Sequence, residues 1–200
     1  SNTNIDNYAI SKQEGTLTVT NREAKYEITV KANSATATYD GKEHEAVGVE
    51  TYEFTVEGNS YTVSGLSTED PKQKDAGSYT NNITGTPVVT DKEGNVVTSE
   101  FEVKTENGSL EIGKAAVTLK SATLSKKYDG NALVNGDTAL EIESGFAEGE
   151  GATYNFTGSQ TVVGSSANAF SYELNSNTNI DNYAISKQEG TLTVTNREAK

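Results

Sequence analysis

The sequence predicts an all-β protein built as a tandem array, and three observations carry that expectation. The chain begins and ends with the same 25 residues: Ser1–Lys25 reads SNTNIDNYAISKQEGTLTVTNREAK, and Ser176–Lys200 repeats it letter for letter, 175 positions on. An identity that long at a fixed spacing marks a repeat architecture. Short stretches of strict alternation, rich in Thr, Val and Tyr, recur between Gly- and Asn-containing turns, which is the pattern of half-buried strands. Hydrophobic residues make up only 33% of the 200, too few for one large core and suited to small β-units with thin ones.

In 10–20, ISKQEGTLTVT places Leu17 and Val19 between threonines after a turn at Gln13-Glu14-Gly15, so a hairpin is expected. YEITVK at 26–31 puts Tyr26, Ile28 and Val30 on one face. Tyr39-Asp40-Gly41 supplies an Asp-Gly turn. TYEFTV (51–56) and 60–63 alternate around Glu57-Gly58-Asn59, and 68–76 is loop by composition. Residues 77–85 and 87–90 read as strands, the second closed by Asp91-Lys92-Glu93-Gly94-Asn95. A hairpin is expected to join 100–103 to 109–112 across Glu106-Asn107-Gly108. The pattern then restarts: AVTLK at 116–120 matches 27–31, and Tyr128-Asp129-Gly130 stands 89 positions after Tyr39-Asp40-Gly41. DTALEIES (137–144) fits one or two helical turns or a strand equally well.

The expected organisation is therefore 1–25 as the closing hairpin of a preceding repeat, 26–113 as a first β sub-repeat, and 114–200 as a second with the start of the next linker. Each sub-repeat offers about seven short strands, the pattern of a small antiparallel domain. An immunoglobulin-like sandwich and a β-grasp-like sheet both fit, arranged end to end. A two-stranded hairpin alone is marginal, so Ser1–Lys25 is expected to be held in place, by completing a neighbouring molecule's domain, by packing on the following domain, or as part of a continuous filament.

Net charge is −13. A polyanion repels phosphate backbones and anionic lipid, so neither nucleic-acid binding nor direct membrane insertion is expected. No apolar run reaches the length of a membrane span. There is no Cys, so no disulfide staples these β-units, which for an extracellular chain points to a bacterial surface rather than a eukaryotic secretory context.

At these residues the chain resembles the YDG-type and MBG-type tandem repeats of bacterial, mostly Gram-positive, cell-surface adhesins. The likeness rests on an opening strand followed by Tyr39-Asp40-Gly41 and Tyr128-Asp129-Gly130, and on TGSQTVVGSSANAF at 157–170. It rests also on Asn182-Tyr183 leading into GTLTV at 190–194, and on DAGSYTNNITGTPVVTDKEGNVVTSEF at 75–101. The resemblance implies a structural stalk repeat, extracellular and anchored to the cell wall, that spaces a binding head from the wall. Its implied partners are adjacent identical repeats and, in the alternative reading, host glycan or mucin bound with low affinity and multiplied by copy number.

Catalytic chemistry is not expected. The one imidazole, His44, comes after the first Tyr-Asp-Gly and reads as a solvated loop residue; one His without Cys makes no zinc site. No cofactor is expected, calcium being the single candidate that the acidic surface raises. The 91–95 turn lacks the spacing and the closing Glu of a calcium loop. An isopeptide bond from Lys31 or Lys120 to Asn7 or Asn182 is disfavoured, because alternation turns those lysines away from the core. Tyrosine, with ten copies, is expected to pack at core and rim.

Overall fold

The computed structural model describes residues 9, 11–18, 20, 24–136, 138, 141–142 and 145–197. It is all-β, with no α-helix among the described residues. The first ten strands are β1 (Tyr26–Lys31), β2 (Ala35–Thr38), β3 (His44–Glu45), β4 (Glu53–Val56), β5 (Asn59–Thr68), β6 (Lys72–Gln73), β7 (Gly77–Asn81), β8 (Ile83–Asp91), β9 (Phe101–Glu106) and β10 (Gly108–Gly113). The second ten are β11 (Ala115–Lys120), β12 (Leu124–Lys127), β13 (Leu133–Val134), β14 (Glu141–Ile142), β15 (Ala152–Phe156), β16 (Ser159–Gln160), β17 (Gly164–Ala167), β18 (Phe170–Leu174), β19 (Tyr183–Gln188) and β20 (Thr191–Thr195).

The pairing is mixed rather than wholly antiparallel. β1 runs parallel to β9, from Tyr26 opposite Phe101 to Lys31 opposite Glu106, and β2 runs parallel to β10, from Ala35 opposite Leu110 to Thr38 opposite Gly113. The register does not change across the break between them. Residues 26–38 and 101–113 are thus two long strands side by side, switching sheets together, and the chain enters this half at one end and leaves it at the other. β10 also pairs with β7, β3 with β6, and β5 with both β4 and β8, all antiparallel.

The same scheme recurs in the second half. β11 runs parallel to β19 and β12 to β20, again in unbroken register, while β17 pairs with β20, β13 with β16 and β15 with β18. In the first half, Ile28 and Val30 of β1 and Phe101 of β9 face Val63 of β5 and Val89 of β8, so two layers close over one cluster. Alternation puts these residues inward and Glu27, Lys31 and Lys104 outward. In the second half, Val117, Leu119 and Tyr183 pack with Phe170 in the same way. Both clusters are compatible with a β-sandwich.

The expected hairpin at 100–112 is not formed, nor is one at 183–194, the second copy of the stretch read as a hairpin at 10–20. Gly108 and Gly190 are not turn residues: a Cβ at Gly108 would lie 2.2 Å from the Asn33 carbonyl oxygen, and one at Gly190 would lie 2.4 Å from the carbonyls of Ser121 and Ala122. The glycines let the last strand cross close to the first where both change sheets. A buried amide closes each crossing. Asn81 donates from Nδ2 to the Asn33 carbonyl at 3.1 Å, and Asn168 does the same to Ala122 at 2.9 Å.

Other departures are local. The loop at 68–76 contains β6, which pairs with β3. The run 77–85 divides at Asn82 between two sheets. Glu141–Ile142 is strand, while most of 137–144 lies outside the described residues. The hairpin at 10–20 is absent from what is described there: residues 11–18 and 20 carry no strand and are exposed, Leu17 at 99%.

Candidate functional site

Beyond the two half-cores, the main feature of the molecule is the place where the halves meet. One residue, Lys114, separates β10 from β11. Leu110 and Ile112 at the end of the first half therefore join Val117 and Leu119 in a single buried cluster that also takes in Tyr39 and Tyr183. So short a link leaves little room for the halves to move independently, and the apolar contact adds to that.

Tyr39-Asp40-Gly41 is the centre of this junction. The Tyr39 amide donates to the Gly113 carbonyl at 2.8 Å, tying the motif to the end of β10. Asp40 Oδ1 accepts the Lys42 amide at 2.9 Å, an Asx turn that Gly41 completes at φ +79°. The Tyr39 ring, 4% exposed, meets Tyr183 edge-on with centroids 5.3 Å apart. Tyr39 Oη donates to Glu150 Oε1 at 2.5 Å and Tyr183 Oη donates to Glu150 Oε2 at 2.8 Å, so one carboxylate from the second half holds both phenols. Burial pushes the Tyr39 phenol well above its usual range, and the Glu150 carboxylate adds to that; burial raises Tyr183 as well.

A second contact flanks the first. Asn182, buried at the end of a 3-10 turn (Ile180–Asn182) just before β19, accepts the Ala76 amide on Oδ1 and donates from Nδ2 to Asp75 Oδ1, both at 2.8 Å. Beside it, a Cβ at Gly41 would stand 3.0 Å from the Ala147 Cβ, so the loop at 145–151 lies directly on the motif.

Tyr128-Asp129-Gly130 has the same local geometry and no such covering. The Tyr128 amide donates to Thr195 O at 2.9 Å, Asp129 Oδ1 accepts the Asn131 amide at 2.9 Å, and Gly130 sits at φ +86°. Yet Tyr128 is 41% exposed, and nothing lies within 4 Å of a Cβ at Gly130. The structure does not bring the two motifs together.

The remaining sequence candidates resolve individually. His44 is half-buried in β3, paired with Gln73 of β6 rather than lying in a free loop, and its Nε2 is 3.0 Å from Asp40 Oδ1. Hydrogen bonds from the Lys42 amide and then from His44 hold the Asp40 carboxyl below its usual value. Asp91 spends both carboxylate oxygens inside its own turn, on the Glu93 and Asn95 amides and on Asn95 Nδ2. Among the described residues no group of three His, Cys, Asp or Glu side chains is placed to hold a metal ion. Lys31 Nζ is 2.7 Å from Glu106 on the exposed face, and Asn182 is committed to Asp75 and Ala76; Asn7 lies outside the described residues. Tyr154 and Tyr172, paired across β15 and β18, pack against the shared core.

Sequence reasoning singled out Tyr39 and the Asn182-Tyr183 pair but missed Glu150, Asp75 and the junction itself. One signal was available. At matched places in the two sub-repeats, Asp75-Ala76 stands against Val162-Val163, a polar-for-apolar exchange that separates a position bonded across the junction from one that is not.

No protein-family model, curated protein or solved structure matches this chain.

Proposed function

We propose that the chain is a segment of a structural stalk, a run of repeats in a bacterial cell-surface adhesin or surface fibre that spaces a binding head from the cell wall. The observation that carries this reading is the path of the chain. In each half the first and last strands are parallel neighbours, so the chain enters at one end of the unit and leaves at the other. Thirteen extended residues reach up to about 40 Å, and a series of such units lengthens with every repeat.

The same pairing suits a load-bearing role. Tension on the two ends acts along β1 and β10 in opposite directions. The parallel hydrogen bonds then carry it together in shear, not one after another. At the junction, Lys114 leaves no slack, and the Tyr39–Glu150–Tyr183 and Asp75–Asn182 contacts resist bending. The net charge of −13 keeps crowded copies apart.

Solution scattering of the 200-residue chain tests the reading. Two units in line give a rod of up to about 85 Å and a radius of gyration of about 25 Å. A compact chain of this length has about 16–17 Å, and that value would overturn the stalk.

A further inference from the structure

We infer that the end of the second half carrying Tyr128 is a docking face, and that its occupant is the opening end of the next copy of the Tyr26–Gly113 unit. The inference rests on the stalk reading only in taking copies to be joined in series.

Through the shared pairing scheme, Tyr128 occupies the place of Tyr39, and Val162 and Val163 those of Asp75 and Ala76. In the first half this end is covered: Tyr39 is 4% exposed, and Asp75 and Ala76 are bonded to Asn182. In the second half, Tyr128 is 41% exposed, Val162 67% and Val163 49%. Two valines and a tyrosine at one end of a chain this polar are exposed apolar side chains of the kind that mark an interaction site.

The repeat identifies the occupant. The Ser1–Lys25 sequence runs directly into Tyr26, and the identical Ser176–Lys200 sequence supplies β19 and β20 of the second half. In this chain a β19–β20 sequence is therefore succeeded by a Tyr26 unit, which starts a few residues beyond the last strand. A link of about five residues spans at most about 17 Å and holds the two faces at high effective concentration.

The opening end of the first half also fits. Val96 is 69% exposed there, beside the Asp91–Asn95 turn and close to the starts of β1 and β9. Glu57, which accepts from Tyr26 Oη at 2.8 Å, brings a carboxylate to the same end, as Glu150 does for Tyr39. At its flank the second type of junction puts valines against valine, where the first has Asp75 bonded to Asn182.

The test compares the 200-residue chain with the same chain continued past Lys200 by a second Tyr26–Lys200 run. In the added run the tyrosine corresponding to Tyr128 is replaced by phenylalanine, so that Tyr128 alone reports. Tetranitromethane nitration of Tyr128, read by peptide mass mapping, is expected to slow about tenfold or more in the longer chain. Val162→Asp with Val163→Asp should restore the rate there while leaving the melting temperature of the 200-residue chain unchanged. Equal nitration rates in the two unmodified chains would overturn the docking face, as would protection that survives the double substitution. If scattering still shows a rod while Tyr128 reacts freely, the stalk stands and the docking face is refuted.

Discussion

Ser1–Lys25 and Ser176–Lys200 are the same sequence in two settings, and only in the second do the described residues join sheets. There, Tyr183–Gln188 lies beside β11 and Thr191–Thr195 lies between β12 and β17. Leu192 is fully buried and Gly190 is pressed against the Ser121 and Ala122 carbonyls. In the first setting, the described residues form no strand. Leu17, the counterpart of Leu192, is 99% exposed, and no heavy atom comes within 4 Å of a Cβ at Gly15, the counterpart of Gly190. Alternation states which face a strand would bury; it does not supply the partner. Here the partners are the parallel strands β11 and β12, far back in the sequence.

Matched substitutions at the two settings can break that comparison. The largest difference is expected at the leucines. Leu192→Ala empties a fully buried site and should cost about 2–5 kcal/mol, lowering the melting temperature by roughly 2–4 °C for each kcal/mol. Leu17→Ala should leave it where it was. Equal effects in thermal melts would mean that the N-terminal copy is also packed, and the contrast would fall.

A smaller difference is expected at the glycines. Gly190→Ala forces a methyl into a backbone carbonyl that cannot rotate away, an overpacking cost of roughly 1–3 kcal/mol or more. Gly15→Ala meets open space. If Gly190 were only a turn residue, the two alanines would behave alike, so this pair separates a crossing from a hairpin.

Those glycines also mark where the sequence stopped being legible. The β4–β5 hairpin was readable because its turn is local: Glu57 and Gly58 both take positive φ, at 49° and 80°, as a two-residue hairpin turn requires. The Asp91–Asn95 turn was readable for the same reason, and the restart of the pattern at β11 from the letters it shares with 27–31 and from the repeated Tyr-Asp-Gly. Asn107-Gly108 looks like the same signal and is not. Its glycine answers to the Asn33 carbonyl, a neighbour brought in by parallel pairing that no local window contains. The junction was hidden in a similar way. Tyr39-Asp40-Gly41 and Tyr128-Asp129-Gly130 carry the same letters, and nothing local to either motif points to Glu150.

That second pair sharpens the comparison, because there both copies are folded and only the covering differs. Tyr39→Phe removes the hydroxyl that donates to Glu150 Oε1. A hydrogen bond to a charged group is worth roughly 1.5–3 kcal/mol, and the lower end applies because Tyr183 still donates to the same carboxylate. Tyr128→Phe, on an exposed ring, should fall within about 0.5 kcal/mol of no change. The pH dependence supplies an independent reading. Burial, reinforced by Glu150, raises the Tyr39 phenol above its unfolded value of about 10. The neutral phenol's contribution is therefore complete below about pH 10 and is lost as pH rises towards the folded value. Melts between about pH 8 and pH 11 should show an alkaline loss that shrinks in Tyr39→Phe. It should not vanish, since burial raises the Tyr183 phenol too. An alkaline profile unchanged by Tyr39→Phe would mean that the Tyr39 hydroxyl is not buried against the second half, and the contrast between the covered motif and the open one would fall with it.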